Sequence, residues 1–352
     1  MKAVWIVGPP RSGKTAVALG LSLVLRKRGW RVGYLKPVSE LPPERDPDAR
    51  LMKAVLDLPF EAAELVPVSV GPSYLPAHDR LEGYAAGLSG AVHRAFEATG
   101  READVLLVDG GGHPFVLASL GLDAPELARQ LGAGVILVTG VENDYSLDAL
   151  IFYNRYLAAR GVTVVGNLFN GVPRPLLAKT EGVYRRVLEG RGHRVLGVVP
   201  RHPEIGAPTV AEYYEVLGGE LLAGEGHLDR TVEDVLVGAM TIESALGYLR
   251  RAANKAVVTG GDRAEIALAA LETSTSVLIL TGGLYPDVRV IARADERGVP
   301  VILVHYDTYT TVEKLATVTR HLHPEDRRGI AIARENIERH CDLTALLEVL
   351  QP

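Results

Sequence analysis

The chain has 352 residues and a formal net charge of -5. Its acidic and basic residues are interspersed, which leaves no electrostatic footprint for nucleic acid, and its length implies two domains rather than one core. One cysteine, Cys341, excludes a disulfide framework within the chain. The opening apolar run of about six residues is too short for a membrane span or a signal-peptide core, so no membrane partner and a cytoplasmic location are expected.

Short β-rich runs alternate with longer amphipathic stretches over the first two-thirds. Strands are expected over 3–7, 31–35, 105–109, 134–139, 163–168 and 195–199, and helices over 16–28, 124–131, 147–160 and 176–191. Apolar runs alternating with helices indicate an α/β fold, a parallel sheet covered by helices on both faces. The pattern breaks at Gly218-Gly219 and at Gly224-Glu225-Gly226-His227, a candidate linker. A second, smaller α/β cycle follows, with strands expected over 235–240, 255–259, 277–281 and 300–305. Helices are expected over 243–251, 264–271, 288–297 and from 311 onward. The resulting division is 1–215, 216–327 and a helical tail at 328–352, which packs on one of the domains.

Gly8-Pro9-Pro10-Arg11-Ser12-Gly13-Lys14-Thr15 fits G-x-x-x-x-G-K-[ST] at every fixed position, after a predicted strand and before a predicted helix. Glycines let backbone N–H groups curl around an anion, and the helix N-terminus adds partial positive charge. This P-loop is expected to bind a nucleoside triphosphate through Gly8, Arg11, Ser12, Gly13, Lys14 and Thr15. Lys14 reaches the β- and γ-phosphates, and the Thr15 hydroxyl ligates Mg2+. Val105-Leu106-Leu107-Val108-Asp109 has the form of a Walker B strand, and Gly110-Gly111-Gly112 follows it. Asp109 is therefore a candidate metal ligand, directly or through water. Its bland reading is a turn cap after a buried strand.

With the P-loop, Gly33-Tyr34-Leu35-Lys36-Pro37-Val38 and the Asp109 strand together, residues 1–210 resemble dethiobiotin synthetase. More broadly they resemble the ATPases that include cobyrinic acid a,c-diamide synthase. The resemblance implies ATP as the nucleotide, with Lys36 facing the reacting centre beside the γ-phosphate, so that Lys14 and Lys36 are the catalytic candidates. It implies that Asp48, in Asp46-Pro47-Asp48-Ala49, helps to bind Mg2+. It also implies that Asn170, in Asn167-Leu168-Phe169-Asn170, reads adenine, and that the chain is a homodimer. In two respects the chain departs from the pattern. Pro9, Pro10 and Arg11 replace the acidic loop residues of dethiobiotin synthetase, and no glutaminase domain surrounds Cys341.

Val257-Val258-Thr259-Gly260-Gly261-Asp262-Arg263 and Leu280-Thr281-Gly282-Gly283-Leu284 place paired glycines after β-runs, and Asp307-Thr308-Tyr309 follows a third. The segment from about 232 to 319 resembles the DRTGG domain. The order of the two domains is similar to the N-terminal regulatory region of long phosphotransacetylases, and the resemblance implies a stand-alone version of that region. Gly260, Gly261, Asp262, Arg263, Gly282, Gly283 and Asp307 either hold a small anionic or nucleotide ligand or serve only as tight turns that support dimer packing. His305 reads as a packed core residue, and His113 has no partner that would make it a catalyst.

Three functions are compatible with these residues. The first is an ATP- and Mg2+-dependent regulatory protein that senses a small metabolite. The second is an ATP-dependent ligase that activates a carboxylate, with Lys36 stabilising a phosphorylated intermediate. The third is a purely structural or interaction role, with a P-loop that binds but does not turn over. The missing acidic loop residues and the absence of a recognisable second catalytic domain favour the first.

Overall fold

The computed structural model describes residues 1–76, 81–318 and 321–351. Residues 319 and 352, which lie in the expected second domain and tail, fall outside the described residues. The chain divides into two compact units, Met1–His202 with Leu322–Pro352, and Pro203–His321.

The strands of the first unit are β1 (Lys2–Val7), β2 (Val32–Leu35), β3 (Val38–Ser39), β4 (Val68–Ser69), β5 (Val105–Asp109), β6 (Gly134–Gly140), β7 (Val164–Val172) and β8 (Val195–Pro200). Between them run α1 (Lys14–Lys27), α2 (Pro47–Val55), α3 (Ala62–Leu65), α4 (Leu81–Gly100), α5 (Ala124–Gln130), α6 (Asp144–Ala159), α7 (Leu177–Lys179) and α8 (Arg185–Glu189). A π-helical turn over Thr180–Tyr184 joins α7 to α8, where one continuous helix is expected from the sequence. Six strands form one sheet in the order β2-β5-β1-β6-β7-β8, every pair parallel, and β3 pairs with β4 alongside. The Val- and Leu-rich strands β1 and β5 are buried almost throughout, as a sheet covered on both faces requires.

Register then decides what meets at the carboxyl edge. Ile6 lies beside Asp109, Val7 beside Leu137, and Gly140 beside Asn170. The P-loop, Asp109 and Asn170 therefore emerge at one edge from β1, β5 and β7, with β6 between β1 and β7. Gly8 is required by packing, because a Cβ there would overlap the Val138 carbonyl oxygen of β6.

The second unit contains α9 (Val210–Leu217), β9 (Glu220–Ala223), β10 (Asp234–Val237), α10 (Ile242–Arg251), β11 (Lys255–Gly260), α11 (Ala264–Leu271), β12 (Thr275–Thr281), α12 (Val288–Arg297), β13 (Val301–Leu303) and α13 (Thr308–Thr317). Its sheet runs β10-β11-β12-β13-β9, parallel except for β9, which pairs antiparallel with β13. One apolar cluster joins α10, α11 and α12 to the sheet, and a second joins α9 and α13 to it. The glycine-rich stretch read as a linker thus contains a strand. Four residues between glycines carry too little pattern to announce it, and the pairing with β13 supplies what local sequence lacks.

Two last helices, α14 (Arg327–His340) and α15 (Leu343–Leu350), belong to the first unit. α14 packs along α1, with Gly20 so close to Ala333 that a Cβ there would strike its carbonyl oxygen. Cys341 then bridges to Gly197 of β8. Among the described residues no helix is long and apolar enough to cross a membrane.

Candidate functional site

The loop between β1 and α1 is built to present donors. Gly13 stands at the N-cap of α1 in the left-handed region at φ 79°, and no side chain caps the helix. By contrast, Asp46, Asp123 and Asn143 cap α2, α5 and α6. The first-turn N–H groups of α1 thus have neither an intrahelical acceptor nor a side-chain one. Arg11 also has a positive φ of 61°, which a non-glycine residue adopts at a cost. The Ser12 hydroxyl is buried without a hydrogen-bond partner. Asn170 crosses from β7 and donates from Nδ2 to the Ser12 carbonyl at 2.8 Å, which ties the far strand to the loop.

Lys14 is buried and donates from Nζ to the carbonyls of Gly8 at 3.1 Å and Pro9 at 2.8 Å. Burial lowers its pKa below the usual value, opposed by Asp109 and Asp48 and reinforced by Lys36. Thr15 donates to Asp109 Oδ2 at 3.1 Å, and the Gly111 N–H donates to Oδ1 at 3.0 Å. The sequence reading missed a third donor. Tyr34, wholly buried on β2, donates to the same Asp109 Oδ2 at 3.3 Å. Its burial, with Asp109 next, pushes the phenol well above its usual pKa, so at neutral pH it holds its proton and remains a donor. Asp109 itself is raised above the ordinary aspartate value, first by burial and then by Asp48. Lys36, Lys14 and the Gly111 N–H offset that only in part.

Lys36 sits after β2 between two carboxylates, with Nζ 2.7 Å from Asp46 Oδ2 and 2.6 Å from Asp48 Oδ2. Burial acts to lower its pKa, but Asp48, Asp109 and Asp46 outweigh it and hold the ammonium above its usual value. For Asp46, burial opposes ionisation, yet Lys36, Ser39 and the Ala49 N–H together keep the carboxyl below its usual range. The segment carrying Asp48 is helical, since Asp46 caps α2 and Pro47 opens it. In the sequence Asp48 is the better match to the family's acidic residue, whereas the structure pairs Asp46 with the ammonium of Lys36 as well as with the N–H of Ala49 that it caps.

At the carboxyl edge of the second sheet the expected residues also converge. Gly261 N donates to Thr281 O at 3.3 Å, Gly282 N to Tyr306 O at 2.8 Å and Gly283 N to Val304 O at 2.9 Å. Two neighbouring side chains are engaged by the backbone. Arg263, next to Gly260 and Asp262, donates to the carbonyls of Gly238 at 2.9 Å and Met240 at 2.8 Å. Asp307 caps α13 through the Thr310 N–H at 2.7 Å. His305, expected as a packed core residue, is instead exposed, because the apolar run ends at Val304, and its ring lies over Gly283. Met240, Leu284 and Tyr285 are exposed on the same loops, and Tyr309 is exposed in the first turn of α13.

A glycine loop that opens a helix from the inner strand of a parallel sheet, with a carboxylate ending the neighbouring strand, defines the P-loop nucleotide-binding fold. Residues 3–209 match the model of the AAA domain family and residues 212–318 that of the DRTGG domain. The chain belongs to the AAA domain family and carries a DRTGG domain behind it. It is 27% identical to the phosphate acetyltransferase of Pseudomonas putida over 94% of this chain and 49% of that one. With that of Nitratidesulfovibrio vulgaris the identity is 26%, over 96% and 50%. The chain thus spans about half the length of these curated relatives. An uncharacterized protein of Bacillus subtilis, YtoI, is 30% identical over 40% of this chain and 30% of that protein. Among solved structures, the CBS and DRTGG domains of Clostridium perfringens pyrophosphatase, complexed with the activator diadenosine tetraphosphate, match at a TM-score of 0.29. The identity is 18%, over 44% of this chain and 73% of that one. Chloroplast FtsY of Physcomitrella patens matches at 0.34 and 19%, over 57% and 59%.

Proposed function

We propose that the first unit binds ATP with Mg2+ and that the chain is a nucleotide-dependent regulatory or metabolite-sensing protein, related to the N-terminal half of phosphate acetyltransferases and acting as a homodimer in the cytoplasm. The observation that carries this reading is the Thr15–Asp109 hydrogen bond at the mouth of the loop. It joins the hydroxyl and the carboxylate that a P-loop needs beside the β- and γ-phosphates. Gly8, Arg11, Ser12, Gly13 and Lys14 surround the phosphates in this reading, and the unpartnered Ser12 hydroxyl is one more donor. Asn170 uses its Nδ2 on the loop, which leaves its Oδ1 as an acceptor for the amino group of adenine.

The donor set fits Mg2+. Among the described residues no cluster of three or more His, Cys, Asp or Glu could hold a metal. Mg2+ is ordinarily held by one or two protein oxygens, with phosphate and water completing the octahedron, and Thr15 with Asp109 supplies that pair. Asp48 is a further carboxylate nearby, engaged by Lys36. When bound, the cation neutralises charge on the phosphates. Tyr34 and Gly111 keep the Asp109 carboxylate aimed.

One observation favours a second reading, ligation of a carboxylate. Lys36 is held charged beside Asp109 and close to Gly111, where it would face an anionic phosphorylated intermediate. Calorimetric titration with ATP and Mg2+, followed by phosphate release across carboxylate and diamine substrates, decides between them. Tight binding without stimulated release supports the sensing reading. Release stimulated by one substrate replaces it with ligation, and no ATP binding removes both.

A further inference from the structure

We infer that two copies of this chain associate through α6, paired antiparallel about a twofold axis at Phe152; the inference rests on the homodimer reading above and specifies its surface. The buried side of α6 carries Leu147, Leu150, Ile151, Asn154 and Leu157. The opposite side would ordinarily be polar. It is aromatic instead, with Tyr145 79%, Phe152 64% and Tyr156 39% exposed. These residues recur at seven- and four-residue intervals and so share one face. The rings of Phe152 and Tyr156 stack at 6.4 Å and 9°, a preformed plate. Phe115, also exposed, lies beside Tyr156 on the rim of a small apolar pocket. Exposed aromatic rings gathered on one face of a helix in this way fit an interaction surface.

The order of residues along the stripe identifies the partner as a second α6. Exposed Ala149 and Ala159 alternate with the aromatics, Asp148 lies toward the N-terminal end and Arg155 toward the C-terminal end. Neither charge forms a salt bridge among the described residues. An antiparallel copy centred on Phe152 sets Tyr145 opposite Ala159 and Phe152 opposite itself. It sets Ala149 opposite Arg155 and Asp148 opposite Tyr156, with the partner copy's arginine one residue away. Tyr145 and Arg155 meet alanines, Phe152 stacks on its own copy at the axis, and each carboxylate meets a phenol hydroxyl and a guanidinium. A parallel pairing would stack Tyr145 on Tyr145 and Asp148 on Asp148. The stripe is therefore self-complementary in the sense that a twofold interface demands.

The test measures the mass of the intact chain in solution by sedimentation at micromolar concentration. The parent should be a dimer. Phe152→Glu, at an exposed position that leaves the fold and nucleotide site alone, should weaken association by about tenfold or more. D148R and R155D should each weaken it, and the double exchange should restore it. Phe152→Cys should cross-link to itself on mild oxidation, since burial pushes the Cys341 thiol up to about 12 and keeps it unreactive. A dimer indifferent to Phe152→Glu and to both charge reversals would overturn this surface and leave the homodimer reading standing. A monomeric parent would overturn both.

Discussion

The two sheets end alike and differ in what their ends contain. Both are mainly parallel, both are covered on two faces, and both gather glycine turns at the carboxyl edge. In the first unit those turns surround buried charge: Lys14, Lys36, Asp46 and Asp109 are all nearly inaccessible. Ser12 is left without a partner, and the helix without a cap. In the second unit the polar groups satisfy one another. Arg263 is spent on two loop carbonyls, Asp307 on a helix cap and Gly261 on close contact with Leu284. Paired glycines after a strand thus have two uses. They open backbone donors toward an anion, or they let loops close on each other, and the neighbouring charges distinguish the cases.

The largest expected effect that sharpens this contrast is at Lys14. Lys14→Ala should cost about 3 kcal/mol or more of triphosphate affinity, as loss of a charge-assisted contact to phosphate would, with unchanged circular dichroism. ATP bound equally well by the variant would remove the site. Gly261→Ala comes next. A Cβ there overlaps the Leu284 carbonyl oxygen, so the second unit should lose about 2 kcal/mol in denaturant titration while ATP affinity stays put. Asp109→Asn should reduce the Mg2+ dependence of ATP binding about tenfold or more. In the parent that dependence should fade with acid at a higher pH than an ordinary aspartate allows. The proton competes with the cation for a carboxyl whose pKa burial and Asp48 have raised, and the asparagine variant should show no such slope. Smallest, Arg263→Ala should cost about 1 kcal/mol of second-unit stability. If it weakened binding of any phosphate compound instead, the contrast between the sheets would fail.

Much of this was legible because local pattern carried it. The P-loop and the Asp109 strand stand out as motifs at strand ends, and Lys36 stands out through the resemblance to dethiobiotin synthetase. Three features were not. Tyr34 lies in an apolar run and reads as core; only the register of β2 against β5 brings its hydroxyl to Asp109. β9 is four residues long and exists through its pairing with β13. The docking of α14 on α1 depends on Gly20 and Ala333, which are 313 positions apart and announce nothing locally. Long-range register and close approach are tertiary facts, and a single sequence encodes them without displaying them.

That α14 packs on α1 has a consequence in time. The helix that opens at the phosphate loop leaves the ribosome before the whole of the second unit, and the helix that covers it leaves after that unit. Throughout synthesis of the second unit, α1 lacks the helix it packs against in the folded first unit. Domains fold as units only once their own parts are present. The helix behind the phosphate loop is therefore made before the second unit and gains its packing partner only after it.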